Sequence, residues 1–318
     1  MHIALAGEAL IDFTSTGTGA LTFQGHEGGG IFNSAIACAR LGRPTAFITQ
    51  LSTDLFGEQL LRYLQHNAVD TGHVTRSAAP STLAFVERGA HTNRYAFYCH
   101  ATADTLWAPE QLPELPPSCR VLLFGSISLL QEPAAGRITD LVEAHAGRRL
   151  IVFDPNMRSS LLADPAAYRR RFARWLHSTD LLKLSDEDAA LLAPDRSPEA
   201  AAAGWLDGEG GPGVVVLTRG AAGASLHRRG RAPLSVTPPP VMVVDTIGAG
   251  DTFSAGLIVA LLDLGVHDAA QLAALDDAGW LAALRFAVTA AALNCTREGA
   301  DPPTRAEVLA LLAAAPQR

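Results

Sequence analysis

Two stretches of the chain combine residue types and spacings that could do chemistry. In the run DTIGAGDTFSAGL at 245–257, Gly248 and Gly250 bracket Ala249. The backbone can turn tightly there, and the N–H groups of 248–251 are left uncovered by side chains. At the positive end of a helix such groups form an anion site. Asp251 lies in the same turn. A carboxylate there would repel a phosphate that was merely bound. It fits a site where a hydroxyl loses its proton while attacking a phosphorus atom held by those amides. A capped helix, with Asp251 as its N-terminal carboxylate, fits the same letters. The run GGGIFNSAIACARLG at 28–42 is a second glycine turn opening a helix, which Gly42 closes. Asn33 falls in its first turn, where its amide can face a cleft or cap the helix.

These groups need a frame, and the pattern of apolar runs predicts an α/β one. Residues 241–244 read as a strand feeding the turn at 245–251, and Phe253, Leu257, Leu261 and Leu264 as the stripe of the helix that follows. Residues 2–7, 45–50, 121–124, 150–153, 181–184 and 214–217 read as further strands. Helices are expected over 55–67, 132–146, 278–295 and 304–314, giving a βαβ rhythm. Several strands exit into polar residues, where open α/β sheets keep their ligands. Asp12 follows the first, as a turn carboxylate or a ligand. Asp154 to Arg158 follow the strand at 150–153. Ser185 to Asp188 open a helix, either as a capped N-terminus or as a magnesium-water site. Thr218, Gly220 and Gly223 form a small-residue turn. Residues 13–27 read as short exposed strands, and the β-rich runs 81–87 and 94–98 as a hairpin. Tyr95 and Phe97 alternate on one face of that hairpin.

Composition narrows the classes. The chain has 318 residues, is 48% hydrophobic and carries a formal charge of −7, enough for one large core and without the basic block of a nucleic-acid partner. Its four cysteines are far apart, which predicts reduced thiols. Its start lacks a signal-peptide pattern and no run suits a bilayer span, so a soluble cytoplasmic protein is expected. Lys183 is the only lysine and follows no glycine, which excludes a Walker-type phosphate loop. The first strand leads into Gly7-Glu-Ala-Leu-Ile, not G-x-G-x-x-G, which argues against a dinucleotide oxidoreductase. No linker divides the sequence, so one domain over 1–318 is expected.

Taken together and in this order, the runs at 28–42 and 245–251 resemble the two signatures of ribokinase-like (PfkB-type) carbohydrate kinases, the second being D-T-x-G-A-G-D without departure. Softer stretches resemble bacterial fructokinases: GEALID at 7–12, Arg94 with Phe97 and Tyr98, Ala103-Asp104, DPNMR at 154–158 and KLSD at 183–186. Aminoimidazole-riboside and ketodeoxygluconate kinases carry similar ones. The resemblance implies a doubly wound α/β sheet flanked by helices, with a small β lid from roughly 13–27 and 82–104. It implies ATP and a small sugar, most simply fructose, as substrates, and Mg2+ as cofactor, and it leaves a K+ requirement and a homodimer open. Asp251 would be the base, and Gly248, Ala249 and Gly250 would hold the charge of the transferring group. Asp12, Gly29 and Asn33 match positions that hold sugar hydroxyls, with Tyr95, Phe97 and Arg158 as further sugar-side candidates. Lys183, Thr218, Gly220 and Asn294 fall in stretches that contact the nucleotide. Where many relatives carry N-x-x-E, this chain has Ser185 to Asp188, so Glu187 and Asp188 are both candidates for magnesium. Asp245 and Thr246 match a loop that binds a monovalent cation in some relatives. A non-catalytic sugar-binding homologue, or a kinase for ribose or a nucleoside, is the competing reading.

Overall fold

The structure, a computed structural model, describes residues 2–16, 22–87 and 94–314; the side chains of Arg94 and Tyr95 lie outside that description. The chain runs β1 (Ile3–Ala6), β2 (Leu10–Ser15), β3 (Phe23–Gly28), α1 (Gly30–Arg40), β4 (Thr45–Ser52), α2 (Leu55–His66), β5 (Val74–Ser77), β6 (Thr82–Glu87) and β7 (Arg94–Tyr98). It continues through β8 (Val121–Gly125), α3 (Ala134–His145), β9 (Leu150–Asp154), α4 (Pro165–Leu176), β10 (Leu181–Ser185), α5 (Asp186–Leu192) and α6 (Pro198–Asp207). The last part holds β11 (Val214–Thr218), β12 (Ala224–Arg228), β13 (Leu234–Val236), α7 (Ala249–Asp263), α8 (Ala269–Ala274), α9 (Asp277–Asn294) and α10 (Arg305–Ala314).

Nine strands form one sheet in the order β13-β12-β11-β10-β9-β8-β1-β4-β5, parallel from β5 to β11 with β12 and β13 antiparallel at one edge. Its central strands are buried on both faces, which explains why they read as unbroken apolar runs rather than alternating ones. In β1, Ile3 and Leu5 pack toward the layer that holds α1, α2, α7 and α9, while Ala4 and Ala6 pack toward α3, α4, α5 and α6. Helix α7 lies between α1 and α9 and is buried almost all round. A surface helix would show a polar face; α7 shows none beyond its first turn.

A second sheet of four strands, β3-β2-β6-β7, rises from the carboxyl end of β1. Here β2 pairs antiparallel with β3 and parallel with β6, and β6 pairs antiparallel with β7. It holds strands within the stretches expected at 13–27, 81–87 and 94–98, of which 17–21 lie outside the described residues, and it starts earlier than expected. Asp12, read as following a strand in a turn, lies inside β2 opposite His26 of β3.

One expected strand is absent. Residues 241–244 are coil, with Met242, Val243 and Val244 exposed by 85%, 59% and 62%. The sheet edge ends at Val236, and Pro238, Pro239 and Pro240 have no N–H to carry a ladder further. The chain leaves the sheet, and Val244 N–H donates instead to Cys295 O at 2.8 Å.

Candidate active site

The first turns of α1 and α7 meet beside the carboxyl ends of β1, β8 and β9. Ser34 Oγ of α1 donates to the Asp251 carbonyl of α7 at 3.2 Å. This contact places Asn33 and Asp251 face to face, and Asn33 Nδ2 donates to Asp251 Oδ2 at 2.9 Å. The other oxygen, Oδ1, accepts from Asn156 Nδ2 at 3.1 Å. Asn156 sits just past β9 with φ at +38°, a conformation that asparagine tolerates better than most residues. Gly30 is required by the same packing, because a Cβ there would stand 2.3 Å from Asn156 Nδ2.

Asp251 is 7% exposed. Burial pushes its pKa up to about 6, against the Asn33 donation, with the charge of Asp154 adding to the rise and Lys183 and Arg158 opposing it. Burial likewise pushes Asp12 up to about 6, with Arg158 opposing and Asp251 adding. At neutral pH both are ionised, and Asp251 is poised near the pH at which a general base works best.

The turn before α7 matches the sequence reading. Gly248 is the N-cap residue with φ at +74°, and a Cβ there would also stand 2.7 Å from Ala300 Cβ. No side chain caps this helix end. The N–H groups of Gly250 and Asp251 have no partner within a helix by geometry, and they point out of its positive end. Asn294, expected beside the nucleotide, is fully buried and acts on the turn itself. Its Nδ2 donates to Ile247 O at 2.7 Å, and its Oδ1 accepts from Thr252 Oγ1 at 3.2 Å. Asp245 braces the same loop, accepting from Ile247 N at 3.1 Å and from Gly299 N at 3.2 Å. Thr246 O accepts from Ala249 N at 3.2 Å.

The remaining expected residues divide by position. Gly29 is the N-cap residue of α1. Arg158 is exposed and donates to Asn156 Oδ1 at 2.7 Å, so its hydrogen bonding meets Asp251 through that amide while its charge acts on Asp251 through space. Phe97 packs beside Leu10, Ala84 and Ile127 beneath the smaller sheet. The Tyr95 side chain lies outside the described residues. Thr218 ends β11 and Gly220 lies exposed in the turn after it, both at the carboxyl edge of the sheet. Lys183 is buried and paired with Asp154 at 2.9 Å. Asp188 forms a capping box with Ser185 and also accepts from Met157 N at 2.7 Å, while Glu187 is exposed. Among the described residues no group of three or more His, Cys, Asp or Glu is arranged to hold a metal. Magnesium bound with a nucleotide keeps several waters and takes one or two protein carboxylates, so a dense cluster is not required.

Sequence reasoning singled out neither Glu8 nor Asn156. Glu8 is 1% exposed, and its Oε1 accepts from Gly30 N at 2.7 Å and Ile31 N at 3.4 Å. Burial raises its pKa to about 7, against hydrogen bonds that favour the ionised form. A glutamate straight after a core strand was the available signal for it. For Asn156 the signal was an asparagine after Asp-Pro at a strand end. A cavity of about 310 Å³ opens between Thr14, Gln24 and His26 of the smaller sheet and Asp245, Ile247 and Gly299 opposite.

Comparison with known proteins bears on the family and the fold. Residues 2–307 match the model of the pfkB family carbohydrate kinases. A fructokinase from Rhizobium leguminosarum bv. trifolii is 39% identical over 277 residues, 86% of this chain and 84% of that protein. The structure of a fructokinase with bound ATP from Xylella fastidiosa superposes with a TM-score of 0.88 at 28% identity, covering 98% of both chains. A double-mutant fructokinase from Vibrio cholerae O395, bound to fructose, ADP and potassium ion, gives a TM-score of 0.85 at 25% identity, again over 98% of each chain. With a mixed α/β sheet flanked by helices, paired glycine-opened helices and a family match over nearly its whole length, the chain belongs to the pfkB family of carbohydrate kinases.

Proposed function

We propose that the protein is an ATP-dependent fructokinase. The observation that carries the reading is Asp251, oriented by Asn33 and Asn156 beside the uncapped first turn of α7. A carboxylate held by two amides beside an anion site is the arrangement that phosphoryl transfer to a hydroxyl requires. The fructokinase names of the relatives supply the acceptor.

In this reading the sugar lies between α1 and the smaller sheet, with Asp12, Gly29 and Asn33 on its hydroxyls. The sheet with Asp12 and Phe97 serves as its lid. Asp251 takes the proton of a primary hydroxyl as that oxygen bonds to the γ-phosphorus, and the bond to the β-phosphate oxygen breaks to release ADP. The amides of Gly250 and Asp251 stabilise the equatorial oxygens, since that of Ala249 is donated to Thr246 O. The nucleotide lies along the carboxyl edge at Thr218 and Gly220. Magnesium, when bound with ATP, would supply further charge neutralisation. Asp188 is already engaged by Ser185 and Met157, which leaves the exposed Glu187 to orient its water ligands. Asp245 and the Thr246 carbonyl present the hard oxygen donors a potassium ion takes. Cys38, Cys99, Cys119 and Cys295 are all free thiols, which suits the cytoplasm. Among the described residues no helix is long and apolar enough to cross a membrane.

The test is ADP release with magnesium and ATP on fructose, ribose, ketodeoxygluconate, aminoimidazole riboside and adenosine. Turnover on fructose well above the others is expected. Preference for another member would keep the chemistry and discard the acceptor.

A further inference from the structure

The chain's single lysine does not face solvent. Lys183 Nζ donates to Asp154 Oδ2 at 2.9 Å, with the two side chains 5% and 3% exposed. Ser254 of α7 donates to that same oxygen at 2.8 Å and to Gly250 O at 3.1 Å. One carboxylate oxygen thus ties β9 and β10 to the first turns of α7. Nζ also stands 3.2 Å from the point where a Cβ on Gly250 would be, so the ammonium lies behind the 248–251 turn. The second oxygen, Asp154 Oδ1, is buried with no hydrogen-bond partner among the described residues. Among the described hydrogen bonds of Asp154, only that from Lys183 brings a full positive charge.

Two further acids act on the lysine of this pair. Asp251 on α7 and Asp188 on α5 act on Lys183, and the Tyr168 hydroxyl of α4 faces Asp154 and Asp188, while Asp12 on β2 and the exposed Arg158 beyond β9 act on Asp251 rather than on the pair. Burial alone would drive a lysine toward neutrality. Against that, Asp154 first and then Asp251 and Asp188 hold Lys183 above its ordinary pKa. The influence is mutual: Lys183 opposes the rise that burial and Asp154 impose on Asp251.

We propose that Lys183 is a positioning residue of the transfer reaction, a fixed internal counter-charge behind the 248–251 turn that keeps Asp251 ready to accept a proton. It does so without touching the nucleotide. The proposal rests on the reading of Asp251 as the base.

The experiment is the pH profile of kcat/KM for fructose in the full-length enzyme, for Lys183→Met, Asp154→Asn and the double variant. Removing the lysine charge should move the acid limb to higher pH, on the order of one unit. Removing the aspartate charge should move it to lower pH, and the double variant should return close to the parent. A purely structural prop would lower the rate without opposite movements of the limb, and that outcome overturns the proposal. A many-fold rise in KM for ATP with an unmoved limb overturns it too, and makes Lys183 a nucleotide contact. If Lys183→Met fails to fold, Asp154→Asn decides alone: a limb that stays in place or rises is fatal. Asp251→Asn separates the two readings. Near-parental turnover in that variant removes the base itself, whereas collapse there with unmoved limbs removes only the role of the lysine.

Discussion

Helices α1 and α7 start alike, with a glycine at the N-cap, a small or apolar first turn and a polar side chain facing the cleft. They differ in what fills the positive end. At α1 the protein supplies its own acceptor, because Glu8 Oε1 accepts from Gly30 and Ile31 N–H. At α7 no side chain caps the end, and the nearest carboxylate, Asp251, turns away to Asn33 and Asn156. One glycine turn is therefore closed and structural, and it presents Asn33 at a fixed place. The other is left open for a ligand's charge. Glycine spacing does not distinguish them; the position of a distant acid does.

Four measurements would break or sharpen that contrast. Asp251→Asn keeps the shape of the open end and removes its base. Turnover should fall by ~10²–10⁴-fold, while fructose affinity by calorimetry stays close to the parent. Near-normal turnover would end the distinction between the two helices.

Glu8→Gln tests the closed end through stability. The folded-state pKa of Glu8, about 7, lies above its ordinary value, so between the two the folded state holds more protons than the unfolded one. Stability from this group is present at low pH and is lost as pH rises toward about 7, by at most about 3 kcal/mol. Asp12 and Asp251 act in the same direction up to about pH 6. The melting temperature of the ligand-free protein should therefore fall as pH rises from about 5 to 8, and Glu8→Gln should flatten that slope. An unchanged slope would mean that burial does not hold the Glu8 proton at α1.

Asn156→Ala removes one of the two amides on Asp251. A drop in kcat of roughly tenfold is expected, with the acid limb displaced upward because one hydrogen bond to the ionised carboxylate is gone. An unmoved limb would leave Asn156 as packing alone. In the parent enzyme, the limb itself should fall near pH 6, with kcat/KM lost below it as Asp251 takes up its proton. A limb near pH 4 would show that Asp251 is more solvated than the structure has it.

Much of this frame was legible in the sequence, because strands buried on both faces leave unbroken apolar runs. The run at 241–244 had the same composition and misled, since a strand needs a partner and three prolines had already taken the chain off the sheet edge. Asn33 and Asp251 could be named because each lies a fixed distance from a glycine turn. Asn156 and Glu8 could not be assigned to them, since their partners lie on other elements. Asn294 was expected beside the nucleotide from the resemblance, and only packing reveals that its amide also holds Ile247 and Thr252.

The hydrogen bond between Asn33 and Asp251 closes 218 residues of chain, and that between Ser254 and Asp154 closes 100. Contacts so distant in sequence form late, because the entropy of closing such loops must be overcome before they contribute. During synthesis the first glycine helix waits for most of the polypeptide before its counterpart exists. A nascent chain released short of α7 holds all nine strands of the large sheet yet lacks the residue proposed as its base. Activity should therefore appear abruptly with chain length, and recovery of turnover on refolding should lag behind recovery of secondary structure.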